Sequence, residues 1–211
     1  MLSIVIEPKI ILIVALFLLI LFSLVYLFKD QIDELITKFR KTSLLHSNLK
    51  KFCKNHDYIL LTNIILPTED GKKIKIDDLV LADKYIYVIS QRILYGNIFG
   101  DENDAKWIVR SLKEAKYFSN PFKSNEIRLN IAAQISKVDK SSFINLVCFS
   151  KTAFIKDIKI NKPNCLLTTV EKIEKDIVKM EKDSPYNDFL PEEVEKVANY
   201  FYQTSIKTTR N

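Results

Sequence analysis

The stretch Lys73–Arg92 reads Lys-Ile-Lys-Ile-Asp-Asp-Leu-Val-Leu-Ala-Asp-Lys-Tyr-Ile-Tyr-Val-Ile-Ser-Gln-Arg, and it predicts two neighbouring β-strands joined by a polar turn. The first, Lys73–Leu81, is rich in Ile, Val and Leu, and the second, Tyr85–Ser90, is almost wholly β-branched or aromatic. Adjacent carboxylates, Asp77 and Asp78, interrupt the first strand. Because side chains alternate along a strand, only one of them can face the core. A buried ionised carboxylate is costly unless an opposite charge or a metal accompanies it, so this pair is the first candidate for function.

The composition of the 211-residue chain excludes several classes of protein. The chain has only 3 glycines, and their positions match neither a Gly-rich dinucleotide-binding loop nor a Walker phosphate-binding loop. The net charge of +6 is a mild bias that fits a Lys-rich surface better than a dedicated nucleic-acid binder. The cysteines, Cys53, Cys148 and Cys165, are odd in number and widely spaced. They predict reduced core residues rather than a zinc site or a disulfide framework.

An uncharged apolar run, Ile10–Phe28, predicts a membrane helix near the N terminus. As a helix it would be about 28 Å long, close to the thickness of the bilayer's hydrocarbon core. A signal peptide would have a shorter apolar run and a small-residue cleavage site, and a buried soluble helix would have a polar face. We therefore expect residues 1–29 to form an uncleaved, single-pass anchor. The C-terminal part is expected in the cytoplasm because basic residues follow the run, namely Lys29, Lys38, Arg40 and Lys41, against Lys9 before it.

The remaining pattern predicts an α/β domain, with a mixed central β-sheet and helices on both of its faces. A juxtamembrane first helix is expected within residues 30–56, the domain itself over 57–183, and a C-terminal helix with a frayed tail over 184–211. Further strands are predicted at Tyr58–Leu66, Tyr95–Phe99, Phe143–Phe149 and Cys165–Leu167. Helices are predicted over about Phe122–Val138, from a capping box at Thr168 to about Lys182, and from Pro191 to about Gln203.

A series of short motifs occurs in order through the middle of the chain. They are Asn63–Pro67, Ile76–Val80, Ile86–Ile89, Tyr95–Gly100, Trp107 and Asn120-Pro121-Phe122. In this order and at these spacings they resemble the nuclease-related domain, often called NERD, over about Leu44–Ser150. That family is similar to restriction-endonuclease-like nucleases, so the resemblance implies a mixed sheet flanked by helices, with Trp107, Asn120 and Pro121 as structural residues. The order of a membrane helix followed by the domain also resembles a common arrangement in the family.

The resemblance implies a particular chemistry. Such nucleases hold Mg²⁺ with an Asp on one strand and a Glu on the next, and a Lys two residues after the Glu assists the attacking water. Carried over by position, the Asp falls on Asp77, the Glu on Ser90 and the Lys on Arg92. Serine cannot supply the missing negative charge, and arginine stays protonated. The resemblance therefore implies a degenerate site at Asp77, Ser90 and Arg92, to which we assign no catalytic residue and no cofactor. Asp77 and Asp78 are the metal candidates if Mg²⁺ still binds.

Other positions also depart from the family pattern. The family's first-helix Glu falls near Thr42, its Gln near the Asn-Pro motif is replaced by Ser124, and its His after the Asp is replaced by Asp78. Asp77 could instead form an ion pair with Arg92 across the two strands, which would relieve the cost of burying a carboxylate.

Three functions stay open on the sequence. The favoured one is a membrane-anchored, nuclease-related domain without catalysis, which binds or scaffolds. The alternatives are a divergent Mg²⁺-dependent DNA endonuclease that uses Asp78 or Glu126 as its second carboxylate, and an unrelated membrane-anchored domain that binds an unknown protein partner. Nucleic acid is a candidate partner in all three, although aromatic interleaving typical of single-strand binders is missing from the sequence. The residues expected in a basic groove are Lys73, Lys75 and Arg92, with Lys72 beside them.

Overall fold

The computed structural model describes residues 8–28, 45–111 and 114–210. They belong to two compact units, Met1–Lys41 and Thr42–Asn211. The first unit contains helix α1 (Pro8–Leu27), whose large side chains include the exposed Phe22 and Leu27. In the part of the chain that the structure describes, no helix combines the length and the apolarity needed to cross a membrane. The predicted single-pass anchor is therefore not confirmed, and its basic flank at residues 29–41, like Thr42, lies outside the described residues.

The second unit begins with helix α2, at residues 45–55, which is the described part of the predicted first helix. Its strands are β1 (Ile59–Pro67), β2 (Lys73–Leu81), β3 (Ile86–Arg92), β4 (Gly96–Asp101), β5 (Lys106–Arg110), β6 (Ala115–Ser119), β7 (Phe143–Phe149), β8 (Ala153–Lys159) and β9 (Cys165–Thr169). The other helices are α3 (Pro121–Ser136), α4 (Ile173–Asp183) and α5 (Pro191–Arg210).

The main sheet has the order β1-β2-β3-β7-β9 and contains the predicted central pair. Strands β1, β2 and β3 are antiparallel neighbours, whereas β7 runs parallel to β3 and to β9. One face is covered by α2 and α4, and the other by α3 and α5. Because both faces are covered, β7 is buried along its whole length, which explains its continuous apolar sequence. The predicted mixed sheet with helices on both faces is confirmed.

A second sheet, with the order β6-β5-β4-β8, corrects the prediction of one central sheet. The sequence indicated only β4 of these four strands. Strands β6 and β8 have exposed residues at most positions, and the apolar part of β5 is only the three residues Trp107–Val109, so none of these strands has a long apolar run. Their inner side chains pack with the end of the main sheet in one cluster, and Trp107 is fully buried there.

Trp107, Asn120 and Pro121 lie where the second sheet meets the start of α3. The Trp107 indole donates a hydrogen bond to the Asp101 carbonyl over 2.7 Å, and the backbone of Gly100 passes directly over the ring. Asn120 caps α3, because its Oδ1 accepts the Phe122 amide over 2.9 Å while its Nδ2 donates to loop carbonyls. Pro121 occupies the first turn of α3, as predicted.

The predictions for the last two helices were each wrong at one end. Helix α5 continues through Ser205 to Arg210 instead of fraying after Gln203, because Ser205 Oγ accepts the Ile65 amide of β1 over 2.9 Å. Thr168 lies within β9 rather than in a capping box, and α4 begins later, at Ile173.

Candidate functional site

The structure decides which of the two adjacent carboxylates on β2 faces the core. Asp78 is only 6% exposed, and its Oδ1 lies 3.3 Å from Nδ1 of His46 on α2. Burial raises the pKa of the Asp78 carboxyl, although the hydrogen bond and the charge of His46 oppose this rise. The side chain of Asp77 is 48% exposed, with Lys75 Nζ 3.8 Å from its Oδ1. The predicted alternation along β2 is confirmed, since Asp78 is buried and Asp77 faces solvent. Asp77 is the position on which the family's Asp falls.

The register of β2 and β3 brings the three predicted site residues together. Asp78 lies opposite Ile89, and one residue further along the two strands come Asp77 and Ser90. Opposed residues of an antiparallel pair project from the same face, and so does Arg92, two residues beyond Ser90. Ser90 is buried and Arg92 is partly buried. The three positions predicted from the family pattern therefore lie on one face of the sheet, just beyond the last paired residues of β2 and β3.

Arg92 does not form the predicted ion pair with Asp77. Its Nη2 donates to Ser124 Oγ over 3.1 Å, whereas the ion pair that Asp77 makes among the described residues is with Lys75. Ser124 stands where the family has a glutamine, and its hydrogen bond orients the Arg92 guanidinium. Burial lowers the pKa of Arg92, the positive charge of Arg128 lowers it further, and the charge of Asp77 partly opposes both.

Arg128 joins Arg92 at Ser124, although no motif in the sequence points to it. Its Nη1 donates to the Ser124 carbonyl over 3.0 Å, and its Nε donates to the Lys75 carbonyl over 2.8 Å. The only sequence signal is its spacing, one helical turn after Ser124 on α3. Two guanidiniums thus converge on Ser124, close enough for the charge of one to shift the pKa of the other.

The donor groups do not fit a divalent metal ion. Within residues 8–28, 45–111 and 114–210, no three His, Cys, Asp or Glu side chains gather as metal ligands. Asp78 faces His46, and Glu126 is 3.5 Å from Lys140, so neither is placed as the second carboxylate beside Asp77. One carboxylate in the field of two guanidiniums is a poor site for a hard dication.

The lysines of the predicted basic groove differ in their pairing, and their binding of nucleic acid stays a prediction. Lys73 is exposed at the start of β2, and Lys75 lies near Asp77 and Arg128. Lys72 is paired with Asp70 at 2.7 Å, so its charge is locally balanced.

The three cysteines are free, as predicted. Burial raises the pKa of Cys53 and Cys148 to about 12 and that of Cys165 to about 11. These thiols stay protonated at neutral pH and supply no nucleophile.

Comparison with known proteins identifies the family. The nuclease-related domain, NERD, matches residues 39–150, which include α2 and strands β1 to β7 with the whole site. An uncharacterized protein of Bacillus anthracis is 27% identical over 107 residues, which are 51% of this chain and 48% of that protein. The chain thus spans about half the length of this relative. No solved structure matches the present chain significantly. The alternative of an accidental resemblance is wrong: the chain belongs to the nuclease-related domain family.

Proposed function

We propose that this protein is a catalytically silent nuclease-related domain that uses its former catalytic position to bind nucleic acid through phosphate groups. The main support for the proposal is that Arg92 and Arg128 both donate hydrogen bonds to Ser124. Asp77 is close enough for its negative charge to affect the pKa of Arg92. Hydrolysis by the family mechanism needs a metal held by carboxylates, and Ser90 provides none.

The charges at the site favour an anion. Guanidinium groups bind phosphate oxygens through paired hydrogen bonds, and a partly buried guanidinium is more weakly hydrated than an ammonium. Arg92 and Arg128 repel one another in the free protein, so a phosphate between them would relieve that repulsion. Lys73 would extend the contact along β2, whereas Lys72 and Lys75 are already paired with Asp70 and Asp77. The proposed ligand is the sugar–phosphate backbone rather than a particular base sequence.

The full-length chain should bind a short DNA duplex without cleaving it. In Mg²⁺ or Mn²⁺, plasmid DNA should stay supercoiled, because the second carboxylate is missing. Duplex affinity should fall as salt rises from about 50 to about 200 mM, since phosphate contacts release counterions. Arg92→Gln and Arg128→Gln should each weaken binding and reduce the salt slope by about 1, whereas Lys182→Gln, at an exposed position on α4, should do neither.

Two results would reject this proposal. Metal-dependent nicking that Asp77→Ala abolishes would establish the divergent endonuclease instead. Failure to bind duplex at low salt, by a chain whose circular dichroism is that of a folded protein, would dismiss the phosphate site.

We also infer that α1 attaches the chain to a membrane, with residues 42–211 on the cytoplasmic side. The support is the uncharged run Ile10–Phe28 and the exposure of apolar side chains along α1. The full-length chain should stay with membranes through alkaline carbonate extraction, and Leu18→Arg combined with Phe22→Arg should release it. Recovery of the unaltered chain in the soluble fraction would contradict this inference.

A further inference from the structure

The second sheet carries a row of aromatic side chains on the face opposite the core. Tyr117 of β6 is paired with Ile108 of β5, and Ile108 is paired with Phe99 of β4. Phe154 of β8 is paired with Asn97, which lies two residues before Phe99 and therefore projects from the same face. Three aromatic rings from three strands thus share one surface, which we call the aromatic face: Phe99, Tyr117 and Phe154.

The aromatic face is open to solvent. Tyr117 is 70% exposed and Phe154 is 59% exposed. The Arg110 guanidinium lies over the Phe99 ring, 5.1 Å from its centroid, so a planar cation is already stacked on this surface. Single exposed aromatic residues are ordinary, but three aromatic residues on one sheet face, with Ile108 between Tyr117 and Phe99, indicate a binding surface.

The charges around the aromatic face are mainly positive. Asp157 of β8 is exposed and is paired with Phe99 after a register shift, so its carboxylate lies on the aromatic face. The Asp101 carboxylate, at the end of β4, accepts the Asn103 amide over 2.9 Å. Glu114 is paired with Lys116 at 2.6 Å. The exposed basic residues of β5 and β8 are Lys106, Arg110, Lys156 and Lys159.

We propose that the aromatic face binds single-stranded nucleic acid by stacking unpaired bases on Tyr117, Phe99 and Phe154. Base-stacking surfaces of this kind combine aromatic rings on a sheet with surrounding cations that contact the backbone. With neighbouring strands about 4.8 Å apart, the distance from β6 to β8 is roughly 14 Å, which is room for two or three bases. This binding differs from that at Arg92 and Arg128, because it requires unpaired bases rather than phosphates alone.

The experiment measures fluorescence polarisation of a labelled oligothymidylate of about 12 nucleotides with the full-length chain at low salt. Tyr117→Ala and Phe154→Ala should each weaken binding by about tenfold, since each removes a stacking ring. Tyr117→Phe keeps the ring and should stay within about twofold. Tyr202→Ala is the matched control, because Tyr202 is a 53% exposed tyrosine on α5, away from this sheet.

Two further measurements separate this surface from the phosphate site. Ultraviolet crosslinking of an iodouracil-containing oligonucleotide should give adducts at Tyr117 or Phe154. The same adducts should form in the Arg92→Gln and Arg128→Gln variants, and duplex affinity should be unchanged by Tyr117→Ala, so either site can fail without the other.

Three outcomes would overturn the proposal. One is no oligothymidylate binding at low salt, and another is an equal loss of binding in Tyr202→Ala. The third is a change of oligomeric state on light scattering, with unaltered oligonucleotide affinity, in Tyr117→Ala and Phe154→Ala. That result would show that the aromatic face is covered by a second copy of the chain.

Discussion

Ser90→Glu combined with Arg92→Lys is expected to create a divalent metal site beside Asp77. The register of β2 and β3 would place the new carboxylate on the strand adjacent to Asp77 and on the same face. Two carboxylates with water and phosphate are the usual ligand set for Mg²⁺. The substitution at position 92 also removes the guanidinium that donates to Ser124, which lowers the positive charge around the metal.

Metal binding should appear first as stabilisation. Without metal the double variant should be less stable than the unaltered chain, because position 90 is buried and a buried carboxylate is costly. When the Mn²⁺ concentration is about 100 times the dissociation constant of Mn²⁺ from the variant, the free energy of unfolding should rise by about 2.7 kcal/mol. Thermal unfolding with and without Mn²⁺ measures this gain, and plasmid nicking tests whether hydrolysis returns.

The control adds Asp77→Asn to the double variant. This third substitution should abolish both the Mn²⁺-dependent stabilisation and any nicking, because a single carboxylate remains. A stabilisation that survives Asp77→Asn would show that the metal binds elsewhere, and no stabilisation at all would show that this position has lost the geometry of a metal site.

Trp107→Ala is expected to cost about 3–5 kcal/mol of folding free energy. The indole is fully buried and packs edge-on against Phe122 and Phe118, at centroid distances of 5.8 and 6.2 Å. Its removal leaves a cavity between the second sheet and α3, and it leaves the Asp101 carbonyl without the indole N–H. A loss of this size is a large part of the 5–15 kcal/mol that stabilises a typical domain.

Urea unfolding followed by circular dichroism measures the effect of Trp107→Ala. Trp107→Phe should lose less, since it keeps a ring in the cavity, and Tyr202→Ala should stay within about 0.5 kcal/mol because its ring is exposed. Duplex binding should weaken along with stability, because Phe122 lies in the first turn of α3, which also carries Ser124. A loss below about 1 kcal/mol would mean that the second sheet is not held by this contact.

The strongest local patterns predicted the main sheet. The β-branched and aromatic runs of β2, β3 and β7 predict strands from the local sequence alone. Such continuous apolar runs are typical of strands whose two faces are both covered by other layers. The spacing of Asp77, Ser90 and Arg92 could likewise be compared with the family pattern from sequence, since alternation along two adjacent strands fixes which residues share a face.

The second sheet and the aromatic face could not be predicted in this way. Phe99, Tyr117 and Phe154 are far apart in sequence, and only the pairing of four strands places them on one face. The same holds for the acidic residue Glu102, which accepts the Asn161 and Lys162 amides over 2.9 and 3.1 Å. Nothing in the local sequence distinguishes such residues from those of an ordinary solvated loop.

The sequence by itself determined that Asp77 and Asp78 could not both face the core, whereas the replacement of the family's Glu and Lys by Ser90 and Arg92 stays a prediction from the resemblance. Only the tertiary structure decided that Asp78 is the buried carboxylate, because His46, its hydrogen-bonding partner, comes from a separate helix. It also brought Arg128 from α3 to Ser124. Burial and partner choice depend on contacts between distant segments, whereas strand alternation is a property of the local backbone.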